Sequence, residues 1–163
     1  MEITRPTVSD TDALVDCWVA LAADQRQYGS RLLPEENREA VSEVIARHIV
    51  TESLLVAREE GSEGAILGFV MYHVENNRYL QEAVTGVIAD LYVRPAARNE
   101  GVGGELLSAA EAALAAKGVD TVSLEVLAAN DDARRFYSRQ GYRPHRLELA
   151  KRIENDTHSR DEG

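Results

Sequence analysis

The most constraining stretch of this chain is a glycine-rich turn between two long regular segments. Val84 to Val93 reads as a long apolar strand ended by Arg94-Pro95, and Gly103 to Ala116 as a helix rich in Ala, Leu and Glu. Between them stands Arg98-Asn99-Glu100-Gly101-Val102-Gly103-Gly104. Glycines let the backbone turn so that successive amide N–H groups converge near a helix N-terminus. Unpaired donors and the positive end of the helix dipole then favour an anion there, phosphate above all. Arg98 can add a charge-assisted contact. Two other phosphate motifs fail on spacing. A P-loop closes on Gly-Lys-Ser/Thr, and no such lysine is present; the dinucleotide fingerprint needs a third glycine where Leu106 stands.

The rest of the chain alternates between strand and helix patterns. Residues 2–6 read as a short strand. A helix capped by Ser9 runs to about Gln25, with Leu14, Cys17, Trp18 and Leu21 as its buried stripe. A second helix spans about 35–51, with Val41, Val44, Ile45 and Ile49 on its apolar face. Strands at Leu54–Arg58 and Ile66–Val74 form a hairpin around Glu60–Gly64. After the glycine turn and its helix, Thr121 to Leu127 is a strand. Asn130 or Asp131 then caps a helix ending at Gly141, Arg146 to Ile153 is a final strand, and 154–163 is a polar tail. The order predicts one α/β domain, a mixed sheet with helices on both faces.

Charge and composition narrow the function classes. A net charge of −10 argues against a nucleic-acid partner. Only residues 131–152 are locally basic, with Arg134, Arg135, Arg139, Arg143, Arg146, Lys151 and Arg152, which suits either a solvated helix face or a local anion site. No apolar run is long enough to span a membrane, and the N-terminus lacks a signal-peptide stretch, so a cytoplasmic protein without a membrane partner is expected. Cys17 is the single cysteine, and His48, His73, His145 and His158 are scattered without ligand spacing, so no metal is expected.

Val87 to Leu107, with Arg98, Gly101 and Gly103 as an Arg-x-x-Gly-x-Gly core, resembles the acyl-CoA-binding motif of the GNAT N-acetyltransferase superfamily. Val122 to Tyr142, with Leu124-Glu125-Val126, Asn130, Ala133, Phe136-Tyr137 and Gly141-Tyr142, is similar to that family's second motif. Asn99 departs from the pattern, since many members have glycine there. The resemblance implies a GNAT domain over 1–153, its sheet splayed between the fourth and fifth strands, with acetyl-CoA as cosubstrate in the gap. It implies that the amides of Arg98, Asn99, Glu100, Gly101, Val102, Gly103 and Gly104 hold the pyrophosphate. Main-chain groups of Leu91, Tyr92 and Val93 would meet the pantetheine and acetyl carbonyl, Asn130 the pantetheine arm, and Tyr137 the region of the sulfur. Members of the family often dimerise, so a homodimer is carried as an expectation, although no interface is legible.

Acetyl transfer to an amine needs a neutral amine, a polarised carbonyl and a stabilised leaving thiolate. A backbone N–H near Leu91 to Val93 suits the second. Direct attack is favoured, because the sole cysteine is not in a motif position. Tyr137 is the candidate for assisting the thiolate. Glu125 and Asp90 are the candidate bases, with a water relay as a third route. The Leu124-Glu125-Val126 setting also resembles that of ribosomal-protein alanine N-acetyltransferases, where the matching glutamate is a base candidate. The expected function is N-acetylation of a primary amine, on a small molecule or a protein N-terminus. The alternative is a non-catalytic acyl-CoA-binding sensor.

Overall fold

The computed structural model describes residues 1–61 and 63–154. The elements run β1 (Glu2–Thr4), α1 (Thr11–Gln25), α2 (Arg38–Val50), β2 (Leu54–Arg58), β3 (Ile66–Val74), β4 (Thr85–Val93), α3 (Val102–Ala115), β5 (Thr121–Leu124) and α4 (Asp131–Arg139). The five strands form one sheet in sequence order, antiparallel from β1 to β4, with β5 parallel to β4.

Each face of the sheet carries its own core. Leu14, Val15, Cys17 and Val19 of α1 and Val41 and Ile45 of α2 pack on Leu54, Val56, Phe69, Met71 and Tyr92. On the opposite face, Val102, Leu106, Leu107, Ala110 and Leu114 of α3 pack on Leu55, Val70, Tyr72 and Ile88, with Phe136 and Tyr137 of α4 at the margin. Period-two alternation along β2 and β3 divides their side chains between the two helical layers, so both strands are buried on both faces. At about 1.5–3 kcal/mol for each large apolar side chain removed from water, these two layers supply the main drive to fold.

Three expectations are corrected. The chain enters α1 through a 3-10 turn, Val8–Asp10, in which the Thr7 N–H donates to Asp10 Oδ2 at 2.8 Å. Ser9 is therefore inside the turn and caps nothing; its hydroxyl lies 2.7 Å from that of Thr7. Next, β5 stops at Leu124 rather than Leu127, because its ladder with β4 ends at the rung Ile88↔Leu124. Finally, Arg146 to Ile153 forms no strand, and Leu147, Leu149 and Ile153 are exposed. An alternating pattern becomes a strand only where a neighbour supplies the ladder, and no described residue does so here. Of the polar tail, only Glu154 is described; 155–163, with His158, lie outside the described residues.

Two features of β4 give the sheet its gap. Its ladder with β3 continues to Gly68↔Val93, while its ladder with β5 ends at Ile88, so the other edge of 89–93 is left open. This is the expected splay. Along the paired edge, Met71 faces Asp90 but Tyr72 faces Ile88, which makes Ala89 an extra residue, a β-bulge. The bulge exchanges the faces of β4. Ile88 points to the α3 layer, whereas Tyr92 points to the α1–α2 layer.

Candidate active site

The site is built on that open edge. The Arg94 N–H donates to Leu67 O of β3 at 2.8 Å. Main-chain polar groups alternate between the two edges of a strand, so those of Leu91 and Val93 point away from β3 into the gap, and those of Tyr92 point back to β3. Arg98 closes the end of the strand: its Nε donates to Val93 O at 2.9 Å, and its guanidinium carbon lies 5.9 Å from the Tyr92 ring centroid. The guanidinium's terminal nitrogens remain for an anion.

The glycine turn follows at once. Asn99 (φ 66°) and Gly101 (φ 82°) are both left-handed. Asparagine tolerates that conformation better than most residues, so the departure from glycine at 99 leaves the backbone shape intact. Glu105 N is the first amide to bond back, to Gly101 O at 3.1 Å; the amides of 99–104 have no acceptor among the described residues. A side chain at Gly101 would meet no protein atom within 4 Å. At Gly103, a β-carbon would sit 3.4 Å from the Phe136 ring, so α3 and α4 approach closely there. Free amides, a helix dipole and an open approach fit a diphosphate.

The far side of the gap is α4. Asn130 Oδ1 caps it, accepting from Ala133 N at 3.1 Å, which leaves its amide NH2 for a ligand. Tyr137 packs edge-to-face between Phe136 (centroids 5.1 Å) and Tyr142 (5.9 Å). Tyr142 is anchored by its hydroxyl, which donates to Glu111 Oε2 at 2.6 Å. Burial, with a contribution from the charge of Asp90, pushes the Tyr137 phenol up to about 12.

The two carboxylates differ in setting. Asp90 shares the Met71 face, toward the α1–α2 layer, and burial alone pushes its carboxyl up to about 7. Glu125 lies one residue beyond β5 and is exposed. Val122 and Leu124 pack toward α3, so alternation directs Ser123 and Glu125 to the face that Asp90 shares. The structure thus gathers Leu91, Val93, the 98–104 turn, Asn130, Tyr137 and Asp90 around one gap, with Glu125 at its rim. The bulge at Ala89 was not legible, since no glycine or proline marks it. His48 is elsewhere, its Nδ1 2.7 Å from Ser53 Oγ. Among the described residues, no group of three or more His, Cys, Asp or Glu is placed to hold a metal ion. No described helix is long and apolar enough to cross a membrane.

Comparison with known proteins bears on this arrangement. The model of the acetyltransferase (GNAT) family matches residues 18–142. The chain is 33% identical over 141 residues to the mycothiol acetyltransferase of Beutenbergia cavernae, which covers 85% of this chain and 44% of that protein. It is 32% identical over 91 residues to the uncharacterized N-acetyltransferase YhfO of Bacillus subtilis, covering 56% and 59%. The chain thus spans about half the length of the curated relatives it matches. Among solved structures, a mutant of the BH1408 protein from Bacillus halodurans is similar at a TM-score of 0.78 and 23% identity, over 94% of this chain and all of that one. The PaiA N-acetyltransferase of Thermoplasma acidophilum, in complex with coenzyme A, is similar at 0.71 and 19%, over 90% and 92%. At those identities the structural likeness shows the fold.

Proposed function

Because the chain belongs to the GNAT acetyltransferase family, whose cosubstrate is acetyl-CoA, we propose that it transfers an acetyl group to a primary amine, on a small molecule or a protein N-terminus. The observation that carries this reading is the set of unpartnered amides at 99–104 opening onto the gap beside Asp90 and Tyr137. Acetyl-CoA, when bound, supplies an activated thioester carbonyl and a thiol leaving group.

The chain's own residues divide the work. The amides of 99–104 and the terminal nitrogens of Arg98 hold the diphosphate, and the Asn130 NH2 and the main chain of Leu91 align the arm. The N–H of Leu91 or Val93 donates to the carbonyl oxygen as negative charge grows there. Asp90, poised near neutrality, takes the proton from the attacking amine. Glu125 and water remain as routes by which that proton leaves. Tyr137 donates a hydrogen bond to the sulfur. Full proton transfer from a phenol near 12 to a thiolate near 8.5 is uphill by about 5 kcal/mol, so hydrogen bonding is the favoured form of assistance.

The test is thiol release from acetyl-, propionyl- and succinyl-CoA across a panel of primary amines and N-terminal peptides. Turnover with one acceptor well above hydrolysis supports the proposal. Micromolar acetyl-CoA binding with no acceptor turned over would point to a sensor instead.

A further inference from the structure

We infer that Arg139 reads the ribose 3′-phosphate of the cosubstrate, so that the chain discriminates coenzyme A from its dephospho form. The inference rests on the acetyl-CoA reading above and extends it to the nucleotide end of that molecule. Besides its diphosphate, coenzyme A carries a phosphomonoester on the ribose, with a charge of about −1.5 to −2 at neutral pH. The free amides of 99–104 and the Arg98 guanidinium answer the diphosphate. In a chain of net charge −10, a further anionic group of that size is repelled unless a cation stands beside it.

The packing of α4 supplies that cation in the right place. A β-carbon at Gly103 would sit 3.4 Å from the Phe136 ring, and one at Gly104 would sit 3.5 Å from the Gln140 amide nitrogen. Phe136 and Gln140 therefore mark the line along which α4 touches the first turn of α3. With roughly 100° between successive helix residues, Tyr137 and Arg139 fall on opposite flanks of that line. Tyr137 is on the flank of the gap, against Tyr142. A diphosphate seated at the start of α3 has the thioester arm on one side of it and the nucleotide on the other. With the thioester beside Tyr137, the nucleotide leads away from the gap, toward the flank of Arg139.

Arg139 is also the free cation of α4. Arg134 Nη1 donates to Ala128 O at 3.1 Å, and Arg135 is paired with Asp132. Arg139 is exposed and has no ion pair or side-chain hydrogen bond among the described residues. Its backbone is fixed, because Gly141 N donates to Ser138 O at 3.1 Å and Tyr142 N to Tyr137 O at 3.0 Å, closing the helix around it. Arg143, Arg146, Lys151 and Arg152 extend the positive field beyond α4, in a stretch without regular secondary structure. A guanidinium fork on a fixed helical turn is suited to the oxygens of a phosphomonoester.

Calorimetric titration of the full chain with coenzyme A and with dephospho-coenzyme A tests this. The wild type should bind coenzyme A about tenfold more tightly, the scale of one hydrogen-bonded charge pair. Arg139→Gln should bring the two affinities within about twofold of each other, while its affinity for dephospho-coenzyme A stays at the wild-type value, which also shows that the variant is folded. Lys117→Gln removes the same charge beyond the far end of α3, whose 14 residues put it about 20 Å from the glycine turn. This variant should keep the wild-type preference. Equal affinities in the wild type, an undiminished preference in Arg139→Gln, or an equal loss in Lys117→Gln overturns the inference and leaves the acetyl-CoA reading standing. Binding of neither ligand overturns both.

Discussion

Tyr137 of α4 feels the charge of Asp90 of β4 across the gap, the aspartate adding to burial in holding the phenol protonated. They come from different secondary elements and meet only because β4 leaves β5 at Ile88 and bulges at Ala89. Burial raises both groups, which leaves a carboxyl near 7 able to take up a proton beside a phenol near 12 that keeps its own.

The base assignment predicts a pH profile. Asp90 accepts a proton only when ionised, so kcat/KM should rise with pH and level off above about 7. Asp90→Asn should lower it by about 100-fold and abolish that limb. Rate measurements from pH 5 to 9 on this variant and on Glu125→Gln check the point. A limb surviving in Asp90→Asn but lost in Glu125→Gln would transfer the role to Glu125.

The same carboxyl affects stability, with a definite sign. Its folded pKa of about 7 lies above the ordinary 3.8, so the folded protein keeps a proton that the unfolded chain gives up between those values. Its protonated-state advantage is complete below about pH 4 and gone above about 7. Asp90→Asn should therefore be more stable than wild type at pH 8, by up to roughly 4 kcal/mol. The difference should shrink on acidification. Urea melts at pH 5 and pH 8 measure it.

Tyr137→Phe removes one hydroxyl from a ring already packed by Phe136 and Tyr142. Turnover should fall by about 10- to 100-fold, while acetyl-CoA affinity and melting temperature stay close to wild type. Steady-state kinetics with calorimetric titration separate these effects, and unchanged turnover would refute the role.

The turn at 99–101 predicts a contrast between two substitutions. Asn99→Gly keeps the left-handed backbone and should leave acetyl-CoA affinity near wild type, with stability equal or slightly higher. Asn99→Val forces a β-branched residue to φ 66° and should weaken acetyl-CoA binding by about tenfold or more, through loss of the turn geometry that aligns the amides. Equal affinity in the two variants, measured by calorimetric titration, would separate the turn from phosphate binding.

Local pattern was enough for most elements. Leu54–Arg58 and Ile66–Val74 were legible to the residue, and of the two caps that the sequence offered for α4, Asn130 and Asp131, the structure takes Asn130. Those features depend on interactions within a few residues, and so does the turn at 98–104, whose free amides all lie in one short stretch.

Three things were decided only in three dimensions. The bulge at Ala89 arises from how β4 meets β3, and it moves Asp90 to the face of Met71 with no mark in the residues themselves. The raised pKa values of Asp90 and Tyr137 come from burial beneath elements distant in the chain. Arg146 to Ile153 has the alternation of a strand and is not one here. Alternation specifies which side chains a strand would bury; whether a strand forms depends on a neighbour's unpaired edge, which the segment cannot encode alone.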